Sequence, residues 1–440
     1  MTIVFGGELR IEIKPDTVNA LMQRELTMND TTDQANAWRT ETPGNLDWPR
    51  TARPGDQNKY FMVSADGHVQ EPSDFLSSRI DKAYHDRLPG VVLDGKGNTL
   101  QKTEGFRPVR IQNINFAGED LLRNRSGKTP QDRIRDLTLD GVDAEVLFPN
   151  KGLTIWATPD SDFSLAMCKA YNEWAWETFA DFNDRLSPMA CVAPGSLAGT
   201  IQEIQRCAKL GFRGLSLPCK PVWGAPDHNN ANYNLPEFDD LWACIQDVDL
   251  PITFHISTGR DPRTSRGNGG AIINYAVHSL SPTMEPIANL CASGVIDKFP
   301  KIRFGTIEAG IGWVAWALQA LDEAYRKHHM FVRPKLNRLP SEYFRSNGFA
   351  SFQEDKVGLD LARQHDLVNN FQWANDFPHH EGTWPHSAAA IERTMGGLSD
   401  DERARILGLN AAEIFKFPIP ERYTSQNDAA AVAKQVGTIK

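Results

Sequence analysis

An aspartate and a histidine two residues apart follow a short apolar run and could together bind a metal ion. Asp66 and His68 come directly after residues 60–65, a run of strand length. Side chains alternate along an extended backbone, so these two groups point to the same side. An isolated pair of this kind is more often a hydrogen-bonded strand end than a pair of ligands, so its interpretation depends on the rest of the chain.

Three later runs of strand length also end in a residue that can bind a metal, namely His255, Glu308 and Asp376. Two imidazoles and three carboxylates form a borderline-to-hard ligand set that suits zinc, manganese or iron. No cysteine lies at these strand ends, which argues against a thiolate site. We therefore expect a divalent metal ion, with Zn first and Fe or Mn as alternatives.

The elements that must position these residues alternate between strands and helices. The strand candidates are residues 60–65, 143–149, 186–192, 211–217, 250–254, 301–307, 347–351 and 371–375. Helical patterns cover residues 161–183, 197–209, 236–247, 283–293, 311–329, 354–365 and 386–395. Such alternation requires parallel strands joined by right-handed crossovers. Eight units predict an α/β fold, a closed TIM (β/α)8 barrel, in which the ligand-type residues meet at one mouth, whereas a doubly wound sheet would scatter them along an edge.

Length, charge and cysteine usage narrow the class of protein. The chain has 440 residues, 40% of them hydrophobic, and a formal net charge of −9, which argues against a nucleic-acid partner. No apolar stretch reaches the length of a membrane span, and the N-terminus lacks the pattern of a signal peptide. The six cysteines form no C-x-x-C pair, which is typical of reduced thiols and indicates a cytoplasmic protein.

Composition shifts divide the chain into an arm, a barrel and a tail. We predict an N-terminal arm over residues 1–58, the barrel over 59–420 with an insertion at about 73–130 above its mouth, and a C-terminal tail over 421–440. The arm contains apolar residues such as Leu21 and Trp38 that a monomeric barrel would have to hide elsewhere. We therefore expect the arm and the tail to make subunit contacts in a homo- or hetero-oligomer with a similar barrel.

Several motifs together resemble one known family. They are Ser64-Ala65-Asp66-Gly67-His68-Val69-Gln70-Glu71-Pro72, Gly211-Phe212-Arg213-Gly214, Phe254-His255-Ile256-Ser257-Thr258-Gly259, Glu308-Ala309-Gly310-Ile311-Gly312-Trp313 and Asn375-Asp376-Phe377-Pro378-His379. This ordered set, over about residues 60–420, resembles the amidohydrolase-related family, in the branch of aminocarboxymuconate-semialdehyde and resorcylate-type decarboxylases. The resemblance implies one metal ion bound by Asp66, His68, His255 and Asp376.

The chain departs from the decarboxylases of this branch in two motifs. Their first-strand pair is often His-x-His or Glu-x-His, where this chain has Asp66 and His68. Their sixth-strand His-x-Gly is replaced by Glu308-Ala309-Gly310. The second change affects the chemistry, because that imidazole is the acid/base residue of the decarboxylases, and a carboxylate differs in pKa and resting charge.

The sequence alone favours hydrolysis by metal-activated water over two alternatives. Asp376 or Glu308 would take the proton of that water and return it to the leaving group, as in a hydrolase or related lyase acting on a small, carboxylate-bearing substrate. Decarboxylation is one alternative. The resemblance also allows a non-haem iron or manganese oxygenase that works as a heteromer with a similar subunit, or a structural subunit of such a complex.

Four further residues are candidates for substrate contact or ligand support. Arg260 and Lys220 follow the fifth and fourth strands and could bind a substrate carboxylate, unless they are ordinary surface charges. Trp313 could form a wall of the substrate site, although core packing is the commoner role of such a residue. His379 could donate a hydrogen bond to a metal-bound group.

Overall fold

The computed structural model describes residues 2–5, 9–12, 60–105, 108–110, 118–155, 157–221, 232–259, 265 and 267–420. Arg260, most of the predicted arm and the predicted tail lie outside these residues. Within the arm, Thr2–Phe5 and Leu9–Glu12 form an antiparallel pair. No helix in the described ranges is both long enough and apolar enough to cross a bilayer.

Eight parallel strands form the centre of the molecule. They are Val63–Ser64, Ala144–Leu147, Leu186–Pro188 continued by Ala190–Cys191, Leu215–Leu217, Ile252–His255, Phe304–Ile307, Gly348–Phe352 and Phe371–Trp373. Neighbours in sequence are neighbours in the sheet. The Ala65 N–H donates to the Trp373 carbonyl at 3.0 Å, which joins the first strand to the eighth. The predicted barrel is confirmed.

Helices connect consecutive strands, as the alternating pattern predicts. The main ones are Pro130–Leu139, Ser161–Phe179, Leu197–Leu210, Asp239–Val248, Leu280–Ala292, Gly312–Lys327, Pro340–Asn347, Lys356–Ala362, Ser387–Met395 and Asn410–Phe415. Short helices cover Gly270–Ile273, Val295–Lys298 and Asp400–Ala404. The sequence did not predict Pro130–Leu139 or Pro340–Asn347, and it predicted a loop where Gly270–Ile273 continues into a π-helical turn over Asn274–Ser279.

Local signals explain where the barrel helices begin and end. Thr129 caps the helix Pro130–Leu139, because its side chain accepts a hydrogen bond from the Asp132 N–H. Proline suits the first position of this helix, because the backbone N–H that it lacks would have no partner within the helix. Asp160 caps the helix Ser161–Phe179 in the same way. The helix Leu197–Leu210 ends at Gly211, whose φ of 112° lies in the region that glycine adopts without strain.

Apolar side chains fill the barrel and the layer between strands and helices. Val63, Val146, Met189 and Phe349 belong to one buried group, and they come from four different strands. A larger group buries the opposite strand faces against the helices. Truncating a buried phenylalanine such as Phe349 to alanine costs about 3–5 kcal/mol, so these layers hold the strand ends in fixed register.

The segment between the first strand and its helix packs over the loop that follows the eighth strand. It contains the antiparallel sheet Gly90–Leu93, Thr99–Lys102, Val109–Arg110 and the helix Gly118–Arg125. Arg123 of that helix donates to the carbonyls of Trp384, at 2.9 Å, and His380, at 3.3 Å. These contacts agree with the predicted insertion above the mouth, although its division as a separate unit stays a prediction.

Candidate metal centre

Six ligand-type side chains converge at the carboxyl ends of the barrel strands. They form the mouth cluster, which consists of Asp66, His68, His255, Glu308, Asp376 and His379. Isolated β-bridges join Gly67 to Phe377 and His68 to Phe148. The end of the first strand therefore lies between the ends of the eighth and second strands. The first five residues of the cluster are buried. The structure therefore brings together all five ligands predicted from the sequence.

The distances within the mouth cluster suit a shared cation. The His68 Nε2 atom lies 3.7 Å from Asp66 Oδ1 and 3.4 Å from Asp376 Oδ1. The His255 Nε2 atom lies 3.4 Å from Asp66 Oδ1 and 3.5 Å from Glu308 Oε2. Separations of this size are longer than most hydrogen bonds, and ligands about 2 Å from one ion are spaced in this way.

Each strand-end imidazole is oriented by a backbone carbonyl. His68 Nδ1 lies 2.8 Å from the Pro149 carbonyl oxygen, and His255 Nδ1 lies 2.7 Å from that of Ile256. Because a carbonyl only accepts, Nδ1 carries the proton and Nε2 presents its lone pair to the cluster. Burial, with smaller effects of His379 and His255, lowers the pKa of His68 well below its ordinary value, so the imidazole is neutral.

Five buried polar atoms that face the mouth have no hydrogen-bond partner among the described residues. They are both carboxylate oxygens of Asp66, Oδ2 of Asp376, and Nε2 of His68 and of His255. Buried polar groups are nearly always paired, and carboxylates buried together without a cation are unfavourable. A divalent ion coordinated by these oxygens and nitrogens satisfies both requirements, so the residues fit the metal that the sequence predicts.

Two of the carboxylates follow unusual backbone turns. Glu308 has φ of 59° and Asp376 has φ of 51°, both in the left-handed region. Non-glycine residues enter this region at a cost, and they do so often at functional sites. The Glu308 N–H donates to Ser351 Oγ at 3.1 Å, which holds the turn. From these turns Glu308 Oε2 comes within 3.8 Å and Asp376 Oδ1 within 3.4 Å of His68 Nε2 at the end of the first strand.

Without a bound cation, Asp376 and Glu308 hold protons more tightly than usual. Burial raises the pKa of Asp376 to about 6, against the opposing effect of His379. Burial and the negative charges of Asp376 and Asp66 raise the pKa of Glu308 well above its ordinary value. A dication reverses these shifts by favouring the carboxylate form. From the residue type alone we expect Glu308 to be ionised beside a dication, and this stays a prediction.

His379 contacts two other residues of the mouth cluster, and the hydrogen-bonding role predicted for it stays a prediction. Its ring stacks on His68 with a centroid distance of 3.9 Å, and its Nδ1 lies 3.1 Å from Asp376 Oδ1. Burial opposes the charged form, but the Asp376 carboxylate outweighs it and raises the pKa of His379 to about 9. His379 also belongs to a second group of potential ligands, with His68, Glu308 and Asp376.

Two cavities border the mouth cluster on different sides. One of about 480 Å³ is lined by His379 together with Glu71, Lys128 and Lys151. The other, of about 210 Å³, is lined by Glu308 together with Tyr275. The sequence did not predict roles for Lys151 or Tyr275, because both follow strands in segments without regular periodicity. The larger volume is within the usual range of small-molecule sites.

The remaining predicted contact residues lie away from the cluster or outside the described residues. Lys220 is paired with Glu285 and lies 3.3 Å from Asn232 Oδ1, so its ammonium group already has partners. Trp313 donates its indole N–H to the Ala309 carbonyl at 3.2 Å and lines a groove between two outer helices. Arg260 lies outside the described residues. Substrate contact by any of the three stays a prediction.

Comparison of the sequence with models of known protein families shows to which family the chain belongs. The model named Amidohydrolase matches residues 128–417, which is more than half of the chain. The chain belongs to the amidohydrolase family. The resemblance inferred from the motifs is confirmed, and so is the prediction of a metal-dependent enzyme of the amidohydrolase superfamily.

Individual relatives of this amidohydrolase include decarboxylases. It is 22% identical over 341 residues to gamma-resorcylate decarboxylase from Rhodococcus jostii strain RHA1, covering 72% of this chain and 94% of the relative. The crystal structure of amidohydrolase map2389c from Mycobacterium avium subsp. paratuberculosis K-10 matches at 18% identity with a TM-score of 0.64, covering 81% of this chain and 99% of that one. A 5-carboxyvanillate decarboxylase mutant from Novosphingobium aromaticivorans DSM 12444, with bound manganese, matches at 16% identity with a TM-score of 0.58, covering 81% and 97%. At these identities the solved structures support the barrel fold.

Proposed function

We propose that this amidohydrolase is a metal-dependent decarboxylase of a small aromatic carboxylate. The observation behind the proposal is the position of His379, an imidazole in contact with the mouth cluster and facing the larger cavity. The sequence favoured hydrolysis because Glu308 replaces the sixth-strand imidazole. His379 offers an imidazole from the eighth-strand loop instead, and the relatives named as decarboxylases support the same chemistry.

Asp66, His68, His255 and Asp376 would hold the divalent ion, with Glu308 beside it. When bound, the ion supplies electrostatic stabilisation for negative charge on the reacting molecule. The bond between the substrate carbon and its carboxylate breaks, the electron pair stays on the carbon, and carbon dioxide leaves. That carbon must then take a proton, which His379 is placed to donate and to regain from water in the larger cavity.

The larger cavity would hold the organic part of the substrate. The Glu71 carboxylate accepts the N–H groups of Asn150 at 2.9 Å, Lys151 at 3.0 Å and Gly152 at 2.9 Å, which fixes this wall. The Lys151 ammonium donates to the Glu71 carbonyl. Among the described residues, no carboxylate side chain forms an ion pair with Lys151 in this wall. We assign it to an anionic group of the substrate.

The test is release of carbon dioxide from gamma-resorcylate and 5-carboxyvanillate by protein loaded with Mn²⁺ or Zn²⁺. We expect turnover of at least one hydroxylated benzoate. His379→Asn should retain the metal while turnover falls by about a hundredfold or more, because the proton donor is lost. His329→Asn is the control, since His329 is exposed and lines neither cavity of the mouth. Equal turnover in both variants would contradict the role of His379.

A second candidate function follows from the second group of ligands. Glu308, Asp376 and His379 could help to bind another ion, with the carboxylates of Glu308 and Asp376 shared between the two sites. Two hard ions bridged by a carboxylate would suit the iron or manganese oxygenase considered from the sequence, including its heteromeric form. Two bound ions per chain together with substrate-dependent oxygen uptake would favour this function. Failure to bind any metal would favour a structural subunit.

A further inference from the structure

A buried ion pair lies directly beneath the metal-binding strand ends. Arg133, on the helix Pro130–Leu139, is 1% exposed, and Glu145, on the second barrel strand, is fully buried. The guanidinium Nη2 donates to Glu145 Oε1 at 2.9 Å, and Nε donates to the other carboxylate oxygen. The pair is therefore bidentate, the geometry in which an arginine and a carboxylate bind each other most specifically.

The same guanidinium also binds two backbone carbonyls of the mouth. Nη1 donates to the His68 carbonyl at 2.7 Å, and Nη2 donates to the Phe377 carbonyl at 2.8 Å. His68 is a candidate ligand, and Phe377 directly follows the candidate ligand Asp376. The His68 N–H donates to the same Phe377 carbonyl at 2.8 Å. Arg133 therefore joins the two strand ends where the barrel closes.

The glycine between the two first-strand ligands makes this arrangement possible. A Cβ atom on Gly67 would lie 2.0 Å from Glu145 Oε1 and 2.8 Å from Arg133 Nη2. Any side chain would therefore displace the pair from the backbone. The requirement for glycine between Asp66 and His68 follows from this close approach and not from the backbone conformation, since Gly67 lies outside the left-handed region.

We propose that Arg133 and Glu145 are positioning residues that set the affinity of the metal site. Two guanidinium hydrogen bonds tie the backbone of His68 to that of Phe377, which directly follows Asp376. The other two go to Glu145, which neutralises the buried cation. A lysine retains the charge but cannot form this planar set of bonds. Neither residue is in the set of potential ligands, so the effect acts through the ligands that they position.

The test compares Arg133→Lys with Arg403→Lys in the full chain. Arg403 is a matched control because it is also buried and donates to a carbonyl, that of Met395 at 3.1 Å, and to a carboxylate, that of Glu392 at 2.7 Å. Calorimetry would give the Mn²⁺ dissociation constant, and thermal unfolding of the metal-free protein would give stability. We expect Arg133→Lys to weaken Mn²⁺ binding by about 10–100-fold and Arg403→Lys by less than about twofold.

Glu145→Gln supplies the same comparison if Arg133→Lys does not fold, because the amide keeps the volume and removes the charge. We expect it also to weaken Mn²⁺ binding by about tenfold or more. Variants that lose thermal stability but bind Mn²⁺ as tightly as the Arg403→Lys control would overturn the proposal, because the pair would then be structural only. Both readouts are independent of turnover, so the result stands apart from the decarboxylase assignment.

Discussion

The mouth of the barrel combines two kinds of functional group that differ in what holds them. Asp66, His68 and His255 are fixed at strand ends by the sheet and by buried partners, with no flexible segment between them and the core. His379 and Lys151 lie on loops, where their positions depend on contacts with other loops. The strand-end groups form the proposed metal site, whereas the loop groups are those proposed to act on the reaction and the substrate.

The strongest test of this difference removes a strand-end ligand. His255→Ala should reduce bound metal to below about a tenth of an equivalent and turnover by about a thousandfold or more, because it deletes one of four ligands and opens a buried carboxylate cluster. Metal analysis of the purified variant gives the answer. His329→Ala, at an exposed histidine, should change neither quantity. A His255→Ala variant with normal metal content would remove His255 from the metal site.

The sequence predicted the strand-end groups because their signal is local. An apolar run that ends in a ligand-type residue indicates both the strand and the direction of the side chain, and the barrel then makes such ends converge. The same reasoning gave the order of strands and most helices, with ends that differ by a few residues from those in the structure.

The sequence could not predict groups whose role depends on tertiary contacts. Arg133 belongs to a segment with several charges, which indicates a solvated surface, and Glu145 is a charged residue within a predicted strand. Only the packing of helix on strand pairs the two. The helix Pro130–Leu139 was missed for the same reason, since polar residues hide its apolar periodicity. For His379 the sequence predicted hydrogen bonding near the metal, but it did not predict the stacking on His68, because the path of a loop is not encoded in a periodic pattern.

An intermediate effect is expected for Glu308, which follows a strand but lies in a left-handed turn. Glu308→Gln keeps the size of the side chain and removes its charge. If the other four ligands hold a single ion, the variant should retain its metal while turnover falls by about a hundredfold, since Glu308 would then transfer a proton or balance the charge of the ion. If the site holds two ions, the metal content should fall from two equivalents per chain to one. Unchanged metal and unchanged turnover would discard every role proposed for Glu308.

The smallest effect is expected at Lys151, in the wall of the larger cavity. Lys151→Met keeps most of the length of the side chain and removes its charge, so it should raise KM by about tenfold and leave kcat nearly unchanged, because the lost contact is made equally before and during the reaction. Lys209→Met, at an exposed position on an outer helix, is the control and should alter neither constant.

The measurement is the dependence of carbon dioxide release on substrate concentration, repeated at high salt. Salt should raise KM for the natural sequence and have less effect on Lys151→Met, since screening weakens a contact between an ammonium group and an anion. A fall in kcat without a change in KM would mean that the loop wall takes part in the reaction rather than in substrate binding, and the division between strand-borne chemistry and loop-borne selection would fail at this residue.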